Sequence, residues 1–191
     1  MRSRTLLLLA ALLAPLAAPP VCAGDLVAEA EKAEKALAAG QVQAAVDALE
    51  TALDAVWKAS PLTFRKAVFV TATPTGFGAY LPRKDAVFTP GEPLLVYAEP
   101  IGFAWKADGD GYACDLVMDV ALRDDKGAVI FEKREMGRMA LKSRARNHEF
   151  MMKLDLAIRG LPAGSYGLDG IVRDEVSQKW GKFSLAFEVK E

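Results

Sequence analysis

The chain is poor in the residues that most often carry chemistry. Its 191 residues include two cysteines and one histidine, which excludes a disulfide framework and any zinc site of ordinary Cys/His spacing. No charge of one sign dominates: 24 Lys and Arg oppose 25 Asp and Glu, for a formal net charge of −1. A general attraction to nucleic acid is thereby excluded. The apolar run at 6–16 is shorter than the roughly 20 residues of a membrane-spanning helix. Hydrophobic residues nevertheless make up 52% of the chain, well above the low hydrophobicity of disordered sequences, so a packed core is expected.

The N-terminus carries an address. Arg2 and Arg4 precede the apolar run, and Pro19-Pro20-Val21-Cys22-Ala23 closes it with small residues at the −1 and −3 positions. This pattern predicts a secretory signal peptide over 1–23, cleaved after Ala23. A lipoprotein box would set a small residue immediately before Cys22 and a leucine three before it, but Val21 and Pro19 stand there. Removing Arg2 and Arg4 leaves 22 basic against 25 acidic residues and Cys114 as the single cysteine. Stability then rests on packing, in a periplasmic or extracellular compartment that would otherwise permit disulfides.

The mature chain divides by periodicity. Residues 24–60 are rich in Ala, Glu and Leu and lack proline, and Gly40 separates two stretches of 3.6-residue period, which predicts an α-helical hairpin. Leu26, Ala30, Ala33 and Leu37 share one face of the first helix. Val42, Ala45, Val46, Leu49, Ala52, Leu53 and Val56 form a broad apolar stripe on the second, ending near Trp57, and the expectation is that this stripe is buried.

From 61 to 191 the period changes to two and glycine or proline punctuates the chain, predicting a β-sandwich of seven or eight strands. Tyr112, Cys114, Leu116, Met118, Val120 and Leu122 alternate with Asp115, Asp119 and Arg123. Met152, Leu154, Leu156 and Ile158 alternate with Lys153 and Asp155. Phe183, Leu185, Phe187 and Val189 do so with Lys182, Ser184 and Glu188. Further strands are expected near 66–71, 94–99, 128–133 and 166–173. The fold class is therefore α+β, an N-terminal helical hairpin followed by an all-β, immunoglobulin-like sandwich.

Three resemblances accompany this reading. Gly40, Val42, Ala45, Leu49, Ala52 and Leu53 are spaced as in the second half of a tetratricopeptide-like hairpin, although Pro61 falls late and no second copy follows. Phe88-Thr89-Pro90-Gly91-Glu92-Pro93-Leu94, Tyr97-Ala98-Glu99-Pro100 and Lys142-Ser143-Arg144-Ala145-Arg146-Asn147 resemble an uncharacterised family of proteobacterial secreted proteins. The segment from Gly160-Leu161-Pro162-Ala163-Gly164 through Arg173-Asp174 is similar to the last hairpin of bacterial extracytoplasmic sandwich modules. These likenesses imply a fold and a compartment and carry no activity.

Candidate chemistry is sparse. Asp108-Gly109-Asp110-Gly111 suggests calcium, but an EF-hand loop from Asp108 would need glycine where Ala113 stands and glutamate where Asp119 stands. A hairpin turn is expected instead. His148 lacks a neighbouring nucleophile in the sequence and reads as a surface residue, and Cys114 reads as a small buried hydrophobe. Lys133, Arg134, Arg138, Lys142, Arg144 and Arg146 place six cations in fourteen residues. Lys142, Arg144 and Arg146 are thus candidates to hold an anionic group, and Tyr80, in the long glycine-containing connection 74–85, is a candidate stacking platform. No catalytic residue, metal ligand or cofactor is assigned. The expected function is a non-enzymatic interaction module, its partner an envelope protein or an anionic envelope component, with no nucleic acid and no transmembrane segment after signal cleavage. The alternative is a carbohydrate- or envelope-binding module using the aromatic loop. Intact mass of the exported protein should correspond to a chain beginning at Gly24, whereas an acylated species beginning at Cys22 would establish the lipoprotein route.

Overall fold

The computed structural model describes residues 23–157 and 160–191; residues 1–22 of the expected signal peptide, and Ile158, lie outside that range. The chain forms a two-helix hairpin followed by a β-sandwich. The helices are α1 (Ala23–Ala38) and α2 (Val42–Ala59). Gly40, at φ 73°, ends α1 in the left-handed conformation that glycine tolerates, and the amides of Gly40 and Gln41 donate to the carbonyls of Leu37 and Ala36.

Among the described residues nine strands follow rather than seven or eight: β1 (Thr63–Phe69), β2 (Val87–Phe88), β3 (Leu94–Ile101), β4 (Lys106–Asp108), β5 (Gly111–Arg123), β6 (Val129–Ser143), β7 (Met152–Leu156), β8 (Gly164–Asp174) and β9 (Trp180–Val189). The two beyond expectation, β2 and β4, are two and three residues long, too short for alternation to register. One sheet has the order β1-β3-β7, and the other runs β2-β9-β8-β5, with β4 and β6 also paired to β5. Because β6 pairs along β5 from Tyr112 to Arg123 and β8 from Leu116 to Arg123, β6 takes one edge of β5, while β8 and then β4 share the other. The pairings are antiparallel except β2 with β9.

Alternation fixes which side chains enter the core. Cys114, Leu116, Met118, Val120 and Leu122 of β5, Met152, Leu154 and Leu156 of β7, and Phe183, Phe187 and Val189 of β9 are all buried. The outer face of the large sheet is laced by ion pairs instead. Asp169 accepts from Arg123, Ser184 and Lys182, and Asp119 pairs with Arg173. Burial would raise the Asp169 carboxyl, but the bonds from Ser184, Lys182 and Arg123 outweigh it and hold the group below the usual range.

The hairpin is sealed to the sandwich at the foot of α2. Trp57 is buried, its indole N–H donates to the Phe103 carbonyl at 2.9 Å, and its ring meets Phe103 edge-on at 5.4 Å. Below it, the Lys179 ammonium donates to the carbonyls of Lys58, Ser60 and Gly102 at 2.8, 2.7 and 2.9 Å. Lys58 belongs to the last turn of α2, whose carbonyls lack intrahelical partners and where the helix dipole favours a cation, while Ser60 lies in the connection to β1 and Gly102 in the turn after β3. The connection from α2 to β1 passes so close to two glycines that a Cβ at Gly102 would lie 2.3 Å from the Pro61 oxygen and one at Gly181 2.3 Å from the Leu62 oxygen.

The apolar stripe of α2 is not buried as a whole, which corrects the sequence expectation. The helices meet through small residues, Ala33 and Ala36 against Ala45 and Ala48, while Val42, Val46, Leu49, Leu53 and Val56 stand 43–61% exposed. Small side chains permit the closest approach of two backbones, so the alanine row forms the seam and the larger residues flank it. Lys179→Met, which keeps the stem but leaves three carbonyls without their donor, should cost about 1.5–3 kcal/mol in chemical denaturation.

Candidate functional site

Two of the four residues singled out by sequence, Lys142 and Arg144, meet at one corner, and Arg146 lies beside it. Gly109 and Asp110 form the two-residue turn between β4 and β5, with Asp108 paired to Gly111 and Gly109 at φ 62°. The aspartates are therefore turn residues. Tyr112 pairs with Ser143, which brings the end of β6 alongside, and a Cβ at Gly111 would lie 2.6 Å from the Ser143 oxygen. Lys142 then reaches Asp108 at 2.5 Å, and Arg144 reaches Asp110 at 2.6 Å. Together they surround a shallow hollow of about 420 Å³ floored by Tyr112.

Arg146 leaves that corner toward the hairpin. Its guanidinium lies 5.4 Å from the centre of the Tyr112 ring and pairs with Asp54 of α2. Asp54 also holds His148 Nε2 at 3.0 Å, and the His148 ring packs edge-on against Trp57 at 4.5 Å. His148 is thus a half-buried part of the joint and not the surface residue expected. The three cations face three carboxylates, so the corner is electrically balanced. Lys142, foremost, pulls the Asp108 carboxyl below its ordinary range. Further along the basic run, Arg138 pairs with Asp115 and Arg134 lies 3.7 Å from Glu132.

Tyr80 lies apart from this corner, stacked on Tyr97 with ring centres 4.0 Å apart and planes 20° from parallel. The connection 74–85 is held by the bridges Val70 to Pro82 and Gly76 to Ala79, and the Gly78 amide donates to the Tyr97 hydroxyl at 2.8 Å. That hydroxyl in turn donates to the buried Glu99 at 2.8 Å. Burial, reinforced by the Glu99 carboxylate, raises the Tyr97 phenol to about 12, so it remains protonated and able to donate. One face of Tyr80 is therefore taken, and Lys66 sits 5.5 Å from its ring centre.

Several residues that matter to the architecture escaped the sequence reading. Glu99 and Asp174 are buried carboxylates, and Asp174 accepts from the amides of Ala104 and Val176 and from the Ser177 hydroxyl. The only advance signal for Glu99 is its alternation with Tyr97 in β3; Asp174 and Lys179 carry none. Cys114 is buried as expected, and burial pushes its thiol up to about 11, far from a reactive thiolate. Among the described residues no group of three or more His, Cys, Asp and Glu is arranged to hold a metal, and no helix is long and apolar enough to cross a membrane.

No protein family and no curated protein matches the sequence. Solved structures share only a distant likeness. Superoxide reductase (neelaredoxin) from Ignicoccus hospitalis aligns at 10% identity over 66% of this chain and 82% of its own, with a TM-score of 0.36. The sporulation control protein Spo0M from Bacillus subtilis aligns at 10% identity over 69% of this chain and 50% of its own, with a TM-score of 0.38. The PKD domain of an M14-like peptidase from a Thermoplasmatales archaeon aligns at 11% identity over 67% and 96%, with a TM-score of 0.33. Similarity of this degree transfers no activity.

Proposed function

We propose that the protein is a non-enzymatic interaction module of the periplasm or extracellular space, in which the sandwich is the mount and the helical hairpin the contact element. The observation that carries this reading is the exposure of Val42, Val46, Leu49, Leu53 and Val56 on a helix fixed at its foot by Trp57 and Lys179. A row of large apolar side chains held in water on a firm support is the usual mark of a surface that another molecule covers. The secretory pattern of residues 1–23 supports the compartment. A photo-crosslinking residue placed at Leu49 in the exported protein should yield a discrete adduct, while one at exposed Lys153 on β7 should not. Equal labelling from both positions, or none from Leu49, would sink the proposal.

A second reading, binding of an anionic envelope component at the β4–β5 corner, is favoured by the exposure of Lys142 and Arg144, whose side chains are 80% and 82% accessible. Exposed ion pairs contribute little to stability, so an incoming phosphate can take the place of Asp108 or Asp110 at small cost. Arginine binds such groups through a planar fork that lysine lacks. Arg144→Lys or Arg146→Lys should therefore reduce retention on vesicles bearing phosphomonoester headgroups, and more so at low salt than at physiological salt. Retention unchanged after replacing both by glutamine would leave the corner as ordinary surface. The aromatic-loop alternative, a sugar stacked on Tyr80, must work with a ring whose one face already lies on Tyr97.

A further inference from the structure

The exposed residues of α2 are spaced for a particular kind of partner. Val42, Val46, Leu49, Leu53 and Val56 follow steps of four, three, four and three. That is the 3.5-residue repeat of a coiled-coil seam, sustained over about 21 Å of helix. A second row with the same repeat, Ala45, Ala48, Ala52 and Ala55, runs beside it; its first two members are buried and the other two half-buried. One helix thus carries two seams. The alanine seam receives α1, and the Val/Leu seam stays 43–61% exposed.

Charge selects among possible occupants. The hairpin 24–60 holds seven acidic residues and three basic ones. Gln43 and Glu50 flank the open seam on the side away from the alanines. With 3.6 residues per turn, Val27, Ala30, Glu34 and Leu37 of α1, all exposed, continue the face beyond the alanine row and add a further carboxylate to it. A second copy of this chain would bring a surface of the same sign, and like charges in apposition disfavour that pairing.

We infer that the hairpin face takes up an amphipathic α-helix of another protein, with apolar residues on a heptad repeat and Lys or Arg on its flanks. This rests on the interaction-module reading and names the partner class at the same site. The helix would lay its apolar row between α1 and the Val/Leu seam, completing a three-helix arrangement, with its cations against Glu34 and Glu50.

The test uses the purified exported protein and two synthetic peptides of about three heptads with Leu and Val at the seam positions, one flanked by Lys and Arg, the other by Glu. Fluorescence anisotropy should show the basic peptide binding at least about tenfold more tightly than the acidic one, with the difference narrowing at high salt. The Leu49→Asp/Leu53→Asp variant should lose binding while keeping its melting temperature, because both residues are exposed. Glu34→Lys with Glu50→Lys should reverse the order of the peptides. Light scattering should show a monomer. A dimer dispersed by the Leu49→Asp/Leu53→Asp changes would make a second copy the occupant, and partition onto lipid vesicles through the same residues would make it a membrane; either result overturns the inference, as does equal binding or no binding of both peptides. If adducts from position 49 persist in those cases, the hairpin still contacts another molecule and only the partner class falls. If they too are absent, both proposals fall.

Discussion

The structure depends on one joint, where the last turn of α2 meets the sandwich. Two interactions of different kinds make it. Trp57 supplies apolar area and a single directional bond to Phe103, and Lys179 gathers three carbonyls around one ammonium. Burial lowers the Lys179 pKa, partly offset by Asp174 nearby, so the charge sits there at a desolvation cost. The cost is offset by satisfying backbone oxygens from the helix end, the connection and the turn after β3 together. Without the joint, α1 and α2 would be a two-helix unit on a tether, and a helix pair of this size has little stability alone.

The same joint explains why so many features converge on one end of the molecule. Arg146 and His148 share Asp54, His148 leans on Trp57, and Trp105 donates to the Asn147 carbonyl at 3.2 Å. The connection between β6 and β7 is thereby tied to the hairpin as well as to the β4–β5 turn. The basic residues that gave this segment its appearance in the sequence are neutralised in the fold by carboxylates from three different elements. Lys133, Arg134, Arg138 and Lys142 lie on the long edge strand β6, where charge is an ordinary protection of an exposed sheet edge, and Arg144 and Arg146 follow in the connection to β7.

Sequence was most informative where a repeat of two decides burial. In β5, β7 and β9 the inward residues are those that alternation selects, because one face of each strand lies on the core; on β5 the opposite face is also buried at Ala113, Val117 and Ala121. It was least informative where long-range contacts decide. Nothing near Lys179 indicates carbonyls 121 and 119 residues away, and nothing near Asp54 points to Arg146. The helix stripe failed for a different reason. A hydrophobicity pattern ranks leucine above alanine as core, yet helices that approach closely need small side chains between them. The two rows of α2 have the same spacing, so pattern alone could not tell which one α1 would take. The corner of Lys142, Arg144 and Arg146 was legible as a charge cluster, but its carboxylate partners were not.

The close passage of the connection 60–62 against Gly102 and Gly181 has a consequence in time. A chain emerging N-terminus first presents the hairpin early, Gly102 midway, and Lys179 with Gly181 among its last residues. The groove that grips Pro61 and Leu62 does not exist until β9 has been laid against β8. Through most of synthesis the joint is therefore incomplete, and the final strand closes it. The N-terminal element is fully fixed only when the C-terminal one arrives: a chain cut short before residue 179 would keep Trp57 and Asp54 but lack the ammonium and the close strand passage that complete the joint.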